Sequence, residues 1–391
     1  MHLWPRHTGW IVIRVTAAVA ALALAVAAQA GPREQAKRMH DRIAGVPPSD
    51  AVLNAMEADI IAGQTRQAAL RAMNDPAFYS VTLKNLVTPW TNRDQTVFAP
   101  LNDYTATVIG MVRDDVPFNE LLSGDILYVG NAGLGLPAVS ASSNTHYEQM
   151  EARGIDLLAG LQRTTQSSAY GISATATAGI MTSRAAAQAF FIAGTNRAMF
   201  RFTLLNHMCR DLEEIHDTTR PPDRIRQDVS RSPGGDARLF LNNCVGCHSG
   251  MDPMTQAFAY YTYDDTQGRL VYTAGSVQPK YSINADTFRQ GYVTQDDAWE
   301  NRWRNGPNAL LGWDASLPGS GNGAKSLGQE LGNSDAFASC QVEKVFRTVC
   351  LRAPTDTADR NQIGSMVGSF RASGYRLKQV FADAANYCKG P

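Results

Sequence analysis

Two cysteines three positions apart, followed directly by a histidine, constrain this chain more than any other feature of its sequence. The segment Cys244-Val245-Gly246-Cys247-His248 matches C-x-x-C-H, the attachment pattern of c-type haem. Two thiols at this spacing on a tight turn reach the vinyl groups along one porphyrin edge, and the next imidazole projects beneath the iron. Gly246 allows the backbone to pass close to the ring. The motif therefore predicts one covalent haem c, attached through Cys244 and Cys247 and ligated to iron by His248.

The motif has three alternatives to haem: a thioredoxin-like redox pair, half of a zinc site and coincidence. Zinc would need a second pair of ligands, and the sequence contains no other C-x-x-C and no H-x-x-x-H. A thioredoxin-like pair lies between a strand and a helix of a parallel sheet, whereas this motif follows a predicted helix. No alternation of strands and helices surrounds it. These differences favour haem.

The first thirty residues have the composition of an export signal. Arg6 and Arg14 supply positive charge, an apolar run follows from 15 to 28, and the small-residue sequence Ala28-Gln29-Ala30 ends the segment. We therefore predict a signal peptide over 1–30, cleaved after Ala30, and a periplasmic or secreted product. An uncleaved membrane anchor is the alternative, although the run is short and rich in alanine for a span. Export suits the motif, because C-x-x-C-H proteins receive their haem outside the cytoplasm.

Charge and hydropathy argue against two kinds of partner. The chain has 36 Lys and Arg against 36 Asp and Glu, and the signal segment holds two arginines and no acids. The mature chain therefore has a net charge of about −2, which gives no indication of a nucleic-acid partner. No later segment is apolar for long enough to cross a bilayer. The remaining chain of about 360 residues has room for two domains.

Four cysteines lie outside the motif, at Cys209, Cys340, Cys350 and Cys388. An oxidising compartment favours two disulfides among them. Cys340 and Cys350 lie on one predicted helix, where ten residues separate their Cα atoms by about 15 Å. They cannot bond each other, so each is expected to pair with Cys209 or Cys388, and the sequence leaves open which pairs with which.

Apolar residues at helical spacing predict a mainly helical chain. Behind the cap residue Ser49, the stripe of Leu53, Met56 and Ile60 predicts an amphipathic helix. Other stripes predict a helix that ends near Ile215 and helices at the C-terminus, the first of which follows the cap residues Asn333 to Asp335. The residues of the C-terminal stripes are Val342, Val345, Phe346 and Val349, then Ile363, Met366, Val367 and Phe370, then Leu377, Val380 and Phe381.

Three irregular or β segments interrupt the helices. Residues 218–235 are rich in Pro, Arg, Asp and Ser and predict a linker, with a domain boundary near Pro221. The segment after the motif reads as two strands around a turn from Asp265 to Gly268. Residues 306–332 are crowded with Gly, Pro and Asn, which predicts a long loop that covers a cofactor or is mobile.

The residues before the motif resemble those of class I cytochromes c. In that family an aromatic residue shortly before the first cysteine lies on a helix that packs across a C-terminal helix. Phe240 is placed for this role, and the resemblance implies the helix with Val342 and Val349 as its partner. The alternative is that Phe240 is an ordinary core residue. The expected fold is mainly α: a helical N-terminal domain over 31–220, then a cytochrome c-like haem domain over 221–391 with a small β-hairpin and a long glycine-rich loop.

The second axial ligand of the iron is not determined by the sequence. Met366 lies on an apolar stripe and His207 on a predicted helix, so each could serve either as a ligand or as a core residue, and a vacant position is the third possibility. Met251 and Met254 follow His248 too closely to pass round the porphyrin edge. Weaker candidates are His40, His146, His216, Lys280 and Lys325. Trp299 and Trp303 have indole groups that suit a haem propionate, although packing is their commoner use.

Several segments resemble planctomycete-type cytochrome c-like proteins, which are exported proteins built from domains of unknown function around C-x-x-C-H. The closest is NCVGCHSGMDPMTQAFAYYTYDDTQGRL, and PFNELLSGDILYV, AGIMTSRAAAQAFFIAGTNRAMFRFTLLNHMC and LGNSDAFASCQVEKVFRTVCLR are similar to other parts. The resemblance spans Pro117 to Cys388. It implies haem attachment at Cys244, Cys247 and His248 and transfers no catalytic residue. The chain lacks the second C-x-x-C-H and the carbohydrate-binding module of longer members.

Three functions agree with this sequence. The first is a monohaem electron-transfer protein with a redox partner protein, in which the chain sets the potential of the iron. The second is a haem enzyme, peroxidase-like or oxygenase-like, with an open iron position. The third is a cell-surface assembly protein that uses haem as a structural staple. The redox partner, the potential, any substrate, the oligomeric state and the role of the N-terminal domain are left open.

Overall fold

The computed structural model of the chain describes residues 30–191 and 195–390. The predicted signal peptide lies outside these residues, apart from Ala30. The described chain is mainly helical and has three small antiparallel β-sheets, so the mainly α prediction is confirmed. None of the described helices has the length and apolarity needed to span a bilayer.

The α-helices follow one another along the whole described chain. They are α1 (Pro32–Ala44), α2 (Asp50–Ile61), α3 (Thr65–Ala72), α4 (Lys84–Val87), α5 (Asp103–Arg113), α6 (Thr145–Ala152), α7 (Leu157–Gly160), α8 (Gln166–Tyr170), α9 (Arg184–Phe190), α10 (Arg197–Thr203), α11 (Ala237–Leu239), α12 (Val245–Thr255), α13 (Gly323–Gly332), α14 (Asp335–Cys350), α15 (Thr357–Ala372) and α16 (Leu377–Cys388).

Shorter helical turns join several of these helices. Wide π-helical turns occur at Phe78–Leu83, Leu204–Met208 and Phe240–Cys244. Tight 3₁₀ turns occur at Thr88–Thr91, Phe118–Leu122, Ala132–Leu134, Pro222–Arg224, Pro233–Gly235, Gln256–Phe258, Pro279–Ser282, Arg302–Arg304 and Pro307–Leu311.

Each of the three sheets pairs two short strands. They are β1 (Leu127–Gly130) with β2 (Leu161–Thr164), β3 (Tyr261–Asp264) with β4 (Arg269–Tyr272), and β5 (Ala298–Glu300) with β6 (Ser320–Asn322). The β3–β4 pair is the predicted hairpin after the motif. Its register places Asp264 opposite Arg269, and Gly268 has a φ of 65°, which a glycine accommodates without strain at the end of the turn.

Helix caps begin two of the predicted helices as the sequence indicated. The Ser49 hydroxyl accepts a hydrogen bond from the Val52 amide and starts α2, and Ser334 accepts from the Phe337 amide and starts α14. Such caps satisfy amide groups that have no partner within the helix. Helices α15 and α16 cover the other two C-terminal stripes.

The two ends of the described chain pack into one hydrophobic core. Phe78 meets Phe381 of α16 edge to face with ring centroids 4.9 Å apart, and both belong to the main core cluster. Arg42 of α1 donates to the Cys388 carbonyl oxygen at 2.5 Å, and Arg66 pairs with Asp383 at 2.7 Å. The N-terminal helices are therefore covered by the last helix. The predicted domain boundary near Pro221 stays a prediction.

The four cysteines outside the motif form two pairs at disulfide distance. Cys209 pairs with Cys340 and Cys350 with Cys388, with Cα–Cα distances of 5.3 and 5.4 Å. Cys340 and Cys350 do lie on one helix, α14, and each pairs with Cys209 or Cys388 as the helical spacing required. The structure adds which pairs with which.

The predicted long glycine-rich loop over 306–332 is wrong in its second half. Apart from Gly306, only residues 312–319 of this range are irregular, and helix α13 occupies Gly323–Gly332. Two glycines allow α13 to approach another backbone closely. A Cβ on Gly328 would lie 1.8 Å from the Leu122 carbonyl oxygen, and one on Gly332 would lie 2.5 Å from that of Asn119. These glycines therefore serve helix packing, where the composition indicated a loop.

Candidate haem-attachment site

The motif lies where a π-helical turn runs into helix α12. Cys244 ends the turn, and Cys247 and His248 lie in the first turn of α12. Residues three and four apart share one side of a helix, so Cys244, Cys247 and His248 lie on the same side. Both thiols are outside any disulfide and half-buried. The structure therefore brings the three predicted attachment residues together.

The Cys247 thiol is held in its neutral form. Its Sγ lies 3.4 Å from the Leu212 carbonyl oxygen, to which it donates. Burial raises the pKa of Cys247 to about 11, and the nearby Cys244, Glu213 and Asp211 raise it further in the same direction.

The His248 imidazole has one nitrogen occupied and one free. Nδ1 lies 3.0 Å from Asp252 Oδ1, on the next turn of the same helix. Among the residues that the structure describes, Nε2 has no hydrogen-bond partner. A neutral ring that donates from Nδ1 to the carboxylate has its lone pair on Nε2, the arrangement of a metal-ligating histidine.

Asp252 is buried and fully engaged. Arg197 donates to it twice, from Nε to Oδ1 at 2.7 Å and from Nη2 to Oδ2 at 2.9 Å. The backbone amide of Arg226 donates to Oδ2 at 3.1 Å. Burial alone would raise the pKa of Asp252, but Arg197 and the hydrogen bond with His248 outweigh it and hold the pKa far below its usual range. Asp252 is therefore an anion that cannot turn away from the imidazole.

A second carboxylate completes a buried charge network of Arg197, Arg226, Asp228 and Asp252. Asp228 accepts from Arg197 Nη2 at 2.5 Å and from Arg226 Nη2 at 2.6 Å. The Arg226 guanidinium also lies over the Tyr281 ring, 4.2 Å from its centroid. Two guanidinium groups and two carboxylates balance in charge, which is how a protein interior tolerates ions.

Two glycines on the other side of α12 allow rings to approach the helix. A Cβ on Gly246 would lie 2.3 Å from His216 Nε2, and one on Gly250 would lie 1.9 Å from Trp303 Nε1. The ring that approaches Gly246 is thus the imidazole of His216. A further tie is the Asp217 amide, which donates to the Gly246 carbonyl oxygen at 3.2 Å. The segment around His216 is therefore packed directly on the motif.

The predicted partner of Phe240 is wrong. Phe240 packs in a small cluster with Ile225, Val229 and Phe288, and its ring centroid is 6.0 Å from that of His248. Helix α14 belongs to the main core. The Cys209–Cys340 disulfide ties α14 to the end of the Leu204–Met208 turn, so its apolar face is covered there and not by the helix of Phe240.

Both leading candidates for the second axial ligand are committed to the protein core. His207 is fully buried, and its Nε2 lies 2.7 Å from the Tyr104 hydroxyl. Burial, with a smaller effect of Lys344, lowers the pKa of His207 well below its ordinary value. The Met366 side chain is 1% exposed and lies in the main core cluster. The burial of His207 and Met366 is compatible with a vacant second axial position on the iron. That vacancy stays a prediction.

The weaker candidates mostly have partners of their own. His40 Nδ1 bonds the Val46 carbonyl, and His146 bonds the Pro137 carbonyl and the Gly130 amide. Lys280 and Lys325 donate to the carbonyls of Phe191 and Ala174. His216 differs, because it lies against the motif itself.

Trp299 and Trp303, the two candidates for a hydrogen bond to a haem propionate, differ in whether the indole N–H already has a partner. Trp299 Nε1 donates to Ser326 Oγ at 2.7 Å and is satisfied within the protein. Trp303 is fully buried beside Gly250, and among the described residues its Nε1 has no hydrogen-bond partner. Trp303 therefore keeps an indole N–H available near α12.

Sequence reasoning missed the charge network. One signal was present, since Asp252 follows His248 by four residues on a helix, the spacing at which side chains meet. The contributions of Arg197, Arg226 and Asp228 had no comparable signal, because they come from distant parts of the chain.

Comparisons with family models, curated proteins and solved structures find no match. Within the part of the chain that the structure describes, no group of three or more His, Cys, Asp and Glu side chains is arranged to hold a metal ion. The resemblance to planctomycete-type cytochrome c-like proteins therefore stays a prediction.

Proposed function

We propose that this chain is an exported monohaem c-type cytochrome that transfers single electrons to or from a redox partner protein. The observation that carries the proposal is the state of the motif. Two thiols outside any disulfide share one side of a helix with His248, whose Nδ1 is occupied and whose Nε2 is free. This donor set fits covalent haem c with His248 as one of the iron ligands.

The chain contributes attachment, orientation and electrostatics. Cys244 and Cys247 would hold the haem, and His248 Nε2 would bind its iron. When bound, haem supplies one-electron cycling of iron. Asp252 keeps the His248 ring in place, while Phe240 packs beside that ring. The charge network beside the His248 ring has no net charge, because its two arginines offset its two aspartates.

Export agrees with the cysteine chemistry. The two disulfide pairs fit an oxidising compartment. That compartment is also where C-x-x-C-H proteins receive haem, so the periplasmic or secreted location and the cofactor support each other.

A second candidate is a haem enzyme with an open iron position. It is favoured by the commitment of His207 to Tyr104 and of Met366 to the core. A six-coordinate carrier would need another ligand, whereas an enzyme needs a vacant position where a small molecule binds.

The test is the absorption spectrum of the protein made with a c-type haem maturation system. We expect haem to stay with the denatured chain and the native reduced protein to give a sharp spectrum that carbon monoxide leaves unchanged. Covalent haem that binds carbon monoxide would favour the enzyme. A chain that retains no haem after denaturation overturns the proposal.

A matched pair of double variants controls for folding. Cys244→Ala with Cys247→Ala should abolish covalent haem completely. Cys209→Ala with Cys340→Ala also removes two cysteines and lowers the stability of the chain, so the haem lost from this variant measures the effect of destabilisation alone. Equal loss of haem in both would mean that misfolding, not attachment chemistry, accounts for the result.

A further inference from the structure

We propose that Asp252 is a positioning residue that fixes the ring of His248 and makes its Nε2 a stronger electron donor to the haem iron, so that the oxidised form is stabilised. The inference deepens the proposed function and rests on it. The motif residues account for the attachment of haem and for one iron ligand. Asp252 would add a residue that sets the reduction potential.

The geometry fixes the ring because the carboxylate is itself immobile. His248 and Asp252 lie one turn apart on α12, so the helix sets the distance between them. Three further donors hold the carboxylate: the two nitrogens of Arg197 and the backbone amide of Arg226. An Nδ1–H that donates to a fixed acceptor defines both the tautomer and the direction of Nε2.

The chemistry follows from the kind of acceptor. A carboxylate that accepts the Nδ1–H of an iron-bound imidazole raises the basicity of that ligand. A more basic ligand stabilises ferric over ferrous iron and lowers the reduction potential.

Arg197 limits this effect. Its Nε donates to Asp252 Oδ1 at 2.7 Å, the same oxygen that lies 3.0 Å from His248 Nδ1. The negative charge on that oxygen is therefore shared between a guanidinium and the imidazole. Weakening Arg197 should strengthen the influence of Asp252 on His248, so the two residues act in opposite directions.

The decisive variant is Asp252→Asn in the haem-loaded protein. Its amide cannot act as a charged acceptor, so we expect the reduction potential to rise. At a fixed electrode potential the ratio of reduced to oxidised protein should increase at least tenfold, which corresponds to about 59 mV for one electron.

The matched control is Asp228→Asn. It removes one buried negative charge from the same network, but Asp228 makes no hydrogen bond or ion pair with His248 among the described residues. The potential should therefore shift by less than half as much as in Asp252→Asn. Equal shifts in the two variants would overturn the inference, because they would trace the effect to network charge and not to the bond with His248.

A third variant keeps the test decisive if Asp252→Asn fails to fold. Arg197→Lys replaces the two-nitrogen contact with a single ammonium group, and we expect it to lower the potential. A potential unchanged in Arg197→Lys, with haem covalently retained, overturns the role of Asp252 but leaves the proposed function standing. Loss of covalent haem from the unmodified chain overturns the proposed function instead.

Discussion

Two regions of the described chain hold largely buried basic side chains and treat them differently. Beside the motif, burial lowers the pKa of Arg197, but Asp252 and Asp228 raise it above its ordinary value. Beside the Cys209–Cys340 disulfide, Lys344 donates to the Asn206 carbonyl oxygen at 2.5 Å and has no carboxylate at ion-pair distance among the described residues. Burial lowers its pKa to about 7.

The histidines of the two regions differ in the same way. His248 has a carboxylate at Nδ1 and a free Nε2, whereas His207 has the Tyr104 hydroxyl at Nε2 and lies among aromatic rings, with Trp90 5.4 Å away between centroids. Charge pairing thus fixes a histidine in the region that we propose binds haem. The other region holds His207 and Lys344 without a carboxylate partner among the described residues.

The largest effect should separate the two histidines. His248→Ala removes the proposed ligand, so haem should stay covalently bound while its visible spectrum changes completely. His207→Gln keeps an acceptor for Tyr104 and should leave the spectrum as it is. Absorption spectra of both variants check this, and a spectral change in His207→Gln would identify His207 as the second ligand and break the comparison.

Next in size are the two disulfides, which anchor the region of Lys344. Removing Cys209–Cys340 opens a loop of 131 residues and should cost about 5 kcal/mol in the chain-entropy account. Removing Cys350–Cys388, which closes a loop of 38 residues, should cost about 4 kcal/mol. Denaturant unfolding of the two double Cys→Ala variants measures both, and the reverse order of stabilities would contradict the entropic argument.

A smaller effect tests how tightly the motif helix is packed. In Gly250→Ala the new Cβ would lie 1.9 Å from Trp303 Nε1, so we expect a loss of about 1–3 kcal/mol from overpacking. Gly364 of α15 is also a helical glycine, but no atom lies within 4 Å of the position that a Cβ would take there. Gly364→Ala should therefore gain about 0.5–1 kcal/mol. Thermal unfolding of both variants measures the two changes in stability. A loss in Gly364→Ala as large as that in Gly250→Ala would contradict the packing argument.

The last effect is a pH dependence in the Lys344 region. The pKa of Lys344 is about 7 in the folded chain and 10.5 ordinarily. Between these values the unfolded chain binds more protons, so stability rises with pH. Because the Trp90 ring, 4.0 Å from Nζ, favours the charged form, we expect a gain of only about 1–2 kcal/mol from pH 7 to 9.

The variant Lys344→Met should lose this rise in stability. Lys37→Met is the control, because Lys37 is exposed and the rise should persist in it. Unfolding free energies at several pH values measure the slope. A slope that survives in Lys344→Met would assign the pH dependence to other groups.

Local features of the fold were predictable from the sequence. The caps at Ser49 and Ser334, the β3–β4 hairpin and the exclusion of a Cys340–Cys350 bond depend on residues close together in the chain. Short-range rules of capping, turn chemistry and helical rise are sufficient for such features.

Long-range contacts account for what the sequence did not reveal. Arg197 lies 55 residues from Asp252 and pairs with it only because α10 and α12 pack together. In the same way, the glycines of α13 look like loop residues until the Leu122 and Asn119 carbonyls are placed against them. The choice of Cys209 for Cys340, and of a separate cluster for Phe240, also depends on tertiary packing.

The contact of α16 with the N-terminal helices has a consequence for the order of folding. Helices α1 to α3 precede α16 by some 300 residues, so they leave the ribosome, and in an exported chain the translocation channel, well before α16 does. Until then Phe78 lacks the Phe381 ring that covers it, and its apolar surface is open to water or to a chaperone. The N-terminal helices therefore complete their packing only after α16 has reached them.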